Sequence, residues 1–161
     1  MRKIWNRPNL AVWSLVTSDA LGQANMNICT YVTAVSMEPK LMMVAVYRGT
    51  KTLDNLKQSP TKPVLLQLLS AELAPVVRVC GQQSGSKIDK IKRLKKRYQF
   101  GDENNLPFFK DAAGYLVLLP EAVTEIAADH LLYTFSVLKQ VNIVDVPLLM
   151  TDILRSQKII R

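Results

Sequence analysis

The stretch "VTSDALGQANMNICTYVTAVSMEPKLMMVAVYRGTKTLDNLKQS", Val16–Ser59, decides how the rest of the chain is read. Its front half is rich in strand-forming residues and is punctuated by turn signals. Working outward, a first strand over Leu10–Ser18 closes on the turn "DALG" at Gly22. Gln23–Ser36 is expected to return as one strand, long enough to bend or bulge. "MEP" then turns the chain into "KLMMVAVY", a nearly continuous apolar strand. Strands joined this shortly form an antiparallel meander. The period changes next. Leu53 and Leu56 lie three apart, Thr50 or Thr52 stands where a cap belongs, and Pro60 stops the run, so "TKTLDNLKQS" is expected to be a short helix.

Two parts of this stretch carry more polarity than a fold requires. In "NMNICTYVTAVSMEP", Asn25, Asn27, Thr30, Thr33 and Ser36 are spread along a strand that is otherwise half apolar. A flat polar heterocycle laid on such a strand needs partners for its ring carbonyls and N–H, because each group left unpaired out of water costs about 1–3 kcal/mol. Asn27, Thr30 and the peptides between them, at Ile28 and Cys29, are the candidates. A strand side facing solvent would carry the same residue types. In "YRGTKT", Arg48, Lys51 and the hydroxyls of Thr50 and Thr52 converge with the free N–H groups of a helix start, and Gly49 permits close backbone approach. That is a phosphate seat, or else a capped helix with two exposed cations.

The remaining composition bounds the problem. A chain of 161 residues, 48% hydrophobic and 21% charged, is expected to fold as one domain over 1–161. No apolar run approaches the roughly 20 residues of a membrane span, and no signal-peptide core follows the charged start, so a cytoplasmic location is the default expectation. Cys29 and Cys80 lack metal-ligand spacing and are expected as separate thiols, and a single histidine, His130, argues against a zinc site. The net charge of +8 is unevenly spread: Lys87–Arg97 holds seven Lys/Arg and one Asp, a net +6, and the other fourteen positive and twelve negative residues give +2. Ile88, Ile91, Leu94 and Tyr98 recur every three or four residues there, predicting an amphipathic helix over Lys87–Tyr98 with a basic outer face. Such a face is a solvated surface, an attractor of anionic nucleotides, or a nucleic-acid contact.

Beyond the opening stretch, "KPVLLQLLS", "GYLVLLP", "AVTEIAA" and "HLLYTFSVLKQVNIV" read as strands, and "QFGDENNLPFF" reads as a loop. Six or seven strands and two helices favour a closed or partly closed antiparallel barrel with peripheral helices. No glycine cluster of the dinucleotide-fold type is present.

The order of motifs resembles the flavin reductase-like family of FMN-binding split β-barrels. The matching positions are Val16, Thr17, Gly22, Asn25, Thr30, Val35, Ser36, Pro39, Arg48, Thr52 and Leu56, followed by Asp129 and His130 in "ADHLLYTFSV". The chain departs from the family pattern at Ile28 and Cys29, where hydroxyl residues are usual, and in having one proline after "VS". The resemblance implies a mainly β fold, a split antiparallel barrel, with FMN as cofactor and NAD(P)H as co-substrate passing hydride through the flavin to a small acceptor. It also implies a homodimer with the flavin at the interface. Ser36 joins Asn27, Ile28, Cys29, Thr30, Arg48, Thr50, Lys51 and Thr52 as an expected cofactor-binding residue, and His130 is the expected catalytic one. Lys87 matches a basic position near the family's cofactor. The other readings are an FMN-binding electron carrier or flavin store without nicotinamide oxidation, and more distantly a nucleic-acid-binding barrel. The strands lack the interleaved aromatic and basic residues that a stacking platform needs.

Overall fold

The computed structural model describes residues 3–160. Seven strands form one antiparallel sheet in the order β2-β1-β5-β8-β9-β4-β3. They are β1 (Trp13–Ser18), β2 (Ala24–Cys29), β3 (Val32–Met37), β4 (Lys40–Tyr47), β5 (Val64–Leu68), β8 (Gly114–Thr124) and β9 (His130–Asn142), with β6 (Phe100–Glu103) and β7 (Leu106–Phe109) making a separate hairpin. The helices are α1 (Lys51–Gln58), α2 (Val77–Cys80), α3 (Lys90–Leu94) and α4 (Thr151–Ser156). Among the described residues, no helix is long and apolar enough to cross a membrane.

The segment expected as one long strand is two. β2 pairs with β1 from Trp13↔Cys29 to Ser18↔Ala24, whereas β3 pairs with β4. β2 and β3 therefore sit at opposite edges of the sheet, yet only Thr30 and Tyr31 separate them. The three Cα steps from Cys29 to Val32 span at most about 11 Å. The sheet must curl until its edges meet, and the Ala45 N–H donating to the Tyr31 carbonyl at 3.0 Å ties β4 to the crossing point. Among the described residues no ladder closes that seam, so the barrel is split along it.

Alternation at period two builds two apolar layers on this curl. Leu15, Val44, Val46, Leu66, Leu118 and Phe135 point inward and are capped by Leu53 and Leu56 of α1. Val16, Met26, Leu65 and Val117 point outward against Leu73, Val76, Ile91, Leu94 and Phe109 from the helices and the β6–β7 hairpin. Gln67, wholly buried on β5, joins the layers by donating to Ser14 Oγ at 2.9 Å and accepting from the Phe109 N–H at 2.8 Å.

Three other expectations change. "QFGDENNLPFF" is the β6–β7 hairpin, turning at Asn104 and Asn105 with φ of 54° and 64°; this is the left-handed pair that a two-residue turn needs and Asn tolerates. "GYLVLLP" and the opening "AVT" of "AVTEIAA" merge into β8, which passes Pro120 at a register shift and ends at Thr124. The Lys87–Tyr98 helix shrinks to Lys90–Leu94, because Asp89 caps it by accepting from the Lys92 N–H at 2.8 Å and Lys87 stays in the preceding loop.

Candidate functional site

Every second residue of an edge strand directs its N–H and C=O away from its one neighbour. Along the seam, β2 therefore presents unladdered peptide groups to a gap walled on the other side by β4. A cavity of about 190 Å³ occupies this gap, lined by Asn27, Ile28, Cys29, Thr30, Tyr31 and Val44–Tyr47, with Leu15 beneath and Thr52 and His130 at its margins. A second cavity of about 210 Å³ shares Asn27, Tyr47 and Thr52 with it and continues to Gly49, Thr50 and Lys51 at the start of α1. The two form one cleft: an apolar floor, a polar strand edge, and a helix N-terminus at one end.

That end is built locally. Gly49 turns with φ of 74°, and Thr50 caps α1 by accepting from the Leu53 N–H at 3.3 Å. Thr52 is buried and accepts from Asn25 Nδ2 at 3.2 Å, fixing the helix start to β2. Across the cleft lies the loop Gly81–Gly85. A Cβ added at Gly85 would lie 2.1 Å from Asn25 Oδ1, so only glycine lets the loop backbone seat there. Behind the loop, Lys90 is 4% exposed and donates from Nζ to the Cys80 carbonyl at 2.6 Å. Burial pushes its amine below the usual lysine range. Lys51 Nζ lies 3.6 Å from Asp19 Oδ2. The Asp19 carboxyl is itself held low, first by the Gln23 backbone N–H that it accepts. Lys51 and Lys90 thus flank the cavity as two cations.

At the other margin, the His130 ring lies edge-on to Tyr31 and Tyr47, with centroids 5.7 and 5.2 Å away. Its Nδ1 is 2.7 Å from Asp129 Oδ1, and this hydrogen bond holds the Asp129 carboxyl below its ordinary value. An ionised Asp129 makes Nδ1 the donor, which leaves Nε2 as the ring's acceptor. Cys29 reaches the cleft with part of its surface, and burial pushes its thiol up to about 12. It is a neutral wall residue, and both cysteines are free.

Of the residues expected to bind a cofactor, the cleft gathers Asn27, Ile28, Cys29, Thr30, Thr50, Lys51 and Thr52, together with His130. Arg48 and Ser36 are elsewhere. The Arg48 guanidinium donates to the Ala128 and Ile126 carbonyls and to Glu125 Oε1, at 2.8, 3.2 and 2.9 Å, which holds it on the β8–β9 turn. Ser36 lies on β3 opposite Leu41, beyond the seam. Lys87 lines an adjoining cavity of about 370 Å³ with Lys51 and Lys90. Sequence reasoning did not single out Lys90, the Gly81–Gly85 loop or Tyr47 at this cleft. Lys90 had a signal: it lies four residues before Leu94, on the apolar face of its helix.

The donor set fits a flavin nucleotide: peptide groups and an amide for a ring edge, then the Thr52 hydroxyl, helix amides and two cations for a phosphate, while the Thr50 hydroxyl donates to the Tyr47 carbonyl at 2.9 Å. A cavity of about 540 Å³ between Trp13, Leu116 and Leu148 does not fit, since Asp145 is the one charged residue among those described that line it. Comparison with known proteins agrees. The family model for the flavin reductase like domain matches residues 11–151. A search of curated proteins found no match. Among solved structures, an FMN-binding protein from Thermus thermophilus superposes with a TM-score of 0.73 at 15% identity, over 88% of this chain and 75% of that one. A Streptomyces globisporus NADH:FAD oxidoreductase gives 0.72 at 15% identity, over 88% and 80%. A Sinorhizobium meliloti protein, provisionally classed as an oxidoreductase, gives 0.77 at 17% identity; 91% of this chain covers 48% of it, so the chain spans about half its length. These identities speak for the fold alone, and the match over residues 11–151 decides the family: the chain belongs to the flavin reductase like family.

Proposed function

We propose that the protein is a flavin-dependent reductase that holds FMN in the seam cleft and takes hydride from NADH or NADPH for delivery to a small acceptor. A bound flavin supplies reversible hydride acceptance, and the protein's part is to bind and orient it. The β2 edge and Asn27 meet the polar edge of the ring, and Leu15, Val44 and Val46 support its apolar face. Thr50, Lys51, Thr52 and Lys90 hold the phosphate. Tyr31, Tyr47 and His130 screen the open side from water, with His130 Nε2 the group available to hold or release a proton. The acceptor is a small molecule; the strands carry no interleaved aromatic and basic residues of the kind a nucleic-acid stacking platform uses.

One observation carries this reading. A carboxylate-poor cleft in a chain of this family ends where a capped helix, the Thr52 hydroxyl and two lysines converge. Parallel titrations of the apoprotein with FMN and riboflavin test it. FMN is expected to bind at least tenfold more tightly, since a charge-assisted phosphate contact contributes about 1.5–3 kcal/mol. Equal affinities would refute the phosphate assignment.

A homodimer accompanies this reading. The outer face of β4–β9 carries the opposed pairs Leu41–Ser136, Met43–Thr134 and Ala45–Leu132, and Val35 and Met37 of β3 lie exposed beside it. That face is free of charge and continuous with the Tyr47–His130 pair at the cleft mouth. A second copy seated there would border the flavin. If the bound flavin resists both nicotinamide nucleotides while accepting electrons from dithionite, the protein is an electron carrier instead.

A further inference from the structure

Lys90 is buried, whereas the other six cations of the run Lys87–Arg97 are exposed. Ile91 and Leu94 turn inward with Lys90 and anchor α3 in the outer apolar layer. Lys92, Arg93, Lys95, Lys96 and Arg97 are left on the solvent side. Arg93 donates from Nη1 to Gln83 Oε1 at 3.0 Å, which ties this side to the loop bordering the phosphate cavity. Among the described residues, no ion pair involves the run. Its one carboxylate, Asp89, is engaged as the helix cap. A net +6 therefore stands uncompensated on a chain whose remainder carries +2.

The place of this charge gives it a direction. The cavity of about 370 Å³ at Lys87 and Lys90 shares Asn25, Lys51, Gly85 and Lys90 with the phosphate cavity, so the two are continuous. Asp54 and Asp89 are the carboxylates on its wall, against three lysines. At about 1.5 Å of rise per residue, Lys95 and Lys96 stand within about 10 Å of Lys90 along the helix. That is close to one screening length at physiological salt, about 8 Å. Charge of one sign beside a cleft raises the local concentration of an oppositely charged ligand and its rate of entry. We propose that the outer face of α3 is a capture surface for the anionic flavin nucleotide, feeding it through the lysine-walled cavity to the phosphate seat. This rests on the FMN reading of the cleft. Lys92, Lys95 and Lys96 line neither cavity, so they act on the approaching nucleotide and not on the bound one. Their effect belongs in the association rate, and dissociation is left alone.

Stopped-flow fluorescence of the flavin-free protein mixed with FMN, and separately with riboflavin, tests this. Salt is set at about 10 mM and about 150 mM, which screen charge over about 30 and 8 Å. In the wild type, FMN association should slow about tenfold between the two, while riboflavin association stays level. The triple variant Lys92→Gln, Lys95→Gln, Lys96→Gln should bind FMN about five- to tenfold more slowly at low salt, with an unchanged dissociation rate. Its riboflavin association and melting temperature should match the wild type, since all three side chains are exposed. Replacing the same lysines by Glu should slow FMN further. Unchanged FMN association in the triple variant, equal slowing with riboflavin, or a change confined to dissociation would each overturn the assignment. So would slower reduction by NADPH with FMN association intact, which would give the face to the nicotinamide nucleotide. A DNA duplex bound more tightly than FMN at the higher salt, and lost in the triple variant, would make it a nucleic-acid contact instead. A wild-type protein that binds FMN no better than riboflavin would overturn the phosphate seat itself, whatever the lysine variants do.

Discussion

Lys90 and Arg48 each sit where their sequence neighbourhoods do not place them. Arg48 stands beside the helix start in the chain, but three acceptors on the β8–β9 turn hold its guanidinium there. Lys90 sits in a basic run that reads as surface, yet it is the one cation of that run that is buried. Sequence could not separate them, because the difference lies in which carbonyls the fold brings within reach. Lys90→Met and Lys51→Ala should therefore each weaken FMN about tenfold while leaving riboflavin unaffected. Arg48→Ala should change FMN affinity little and lower stability by about 1 kcal/mol or less, as expected for a surface pair. The lowered pKa of Lys90 also fixes the sign of a pH effect. The phosphate is already dianionic above about pH 7, so FMN affinity should fall as pH rises through the lysine's depressed pKa, below 10.5. Fluorescence titrations across alkaline pH should show this in the wild type and not in Lys90→Met. Cys29, with its thiol pushed up to about 12, should resist alkylation at pH 8, and Cys29→Ala should keep full turnover.

Elements were legible where a local rule acts without competition. α1 follows from Thr50, Leu53, Leu56 and Pro60, and it runs Lys51–Gln58 as expected. β4 is the apolar run itself. The break at Thr30–Tyr31 was not legible, because no proline or glycine marks it; it is imposed by β2 and β3 pairing to different neighbours. The β6–β7 turn was hidden by Asn104 and Asn105, which serve loops and tight hairpins equally. The residues expected on β2 and α1 were named from local sequence, and the fold brings them to one cleft. The opposing loop was not, since Gly81–Gly85 has no periodic signal. Gly85→Ala tests that loop: the new Cβ, 2.1 Å from Asn25 Oδ1, must displace the loop or the amide. Flavin affinity should drop at least tenfold, with about 1–3 kcal/mol lost from stability, the usual cost of overpacking. Chemical denaturation and FMN titration read the two effects separately. Removing the cap with Thr50→Ala should cost about 1 kcal/mol.

At the scale of the molecule, the two-residue link between opposite sheet edges generates the cleft. A sheet forced to bring its edges together without pairing them leaves peptide groups facing an apolar gap, and α1 closes one end of that gap with positive charge. The same geometry leaves the outer β4–β9 face uncovered. Met43→Glu, placing a charge at its centre, should convert a dimer into monomer by sedimentation and weaken FMN; an unchanged sedimentation coefficient, or full FMN occupancy in the monomer, would remove the dimer from the account. Anaerobic mixing of the FMN-loaded protein with NADH, and separately NADPH, tests the central claim most directly. The account predicts that at least one of them bleaches the visible flavin band within a catalytic turnover. A protein that retains no flavin, or whose flavin keeps its colour with both nucleotides, would contradict it.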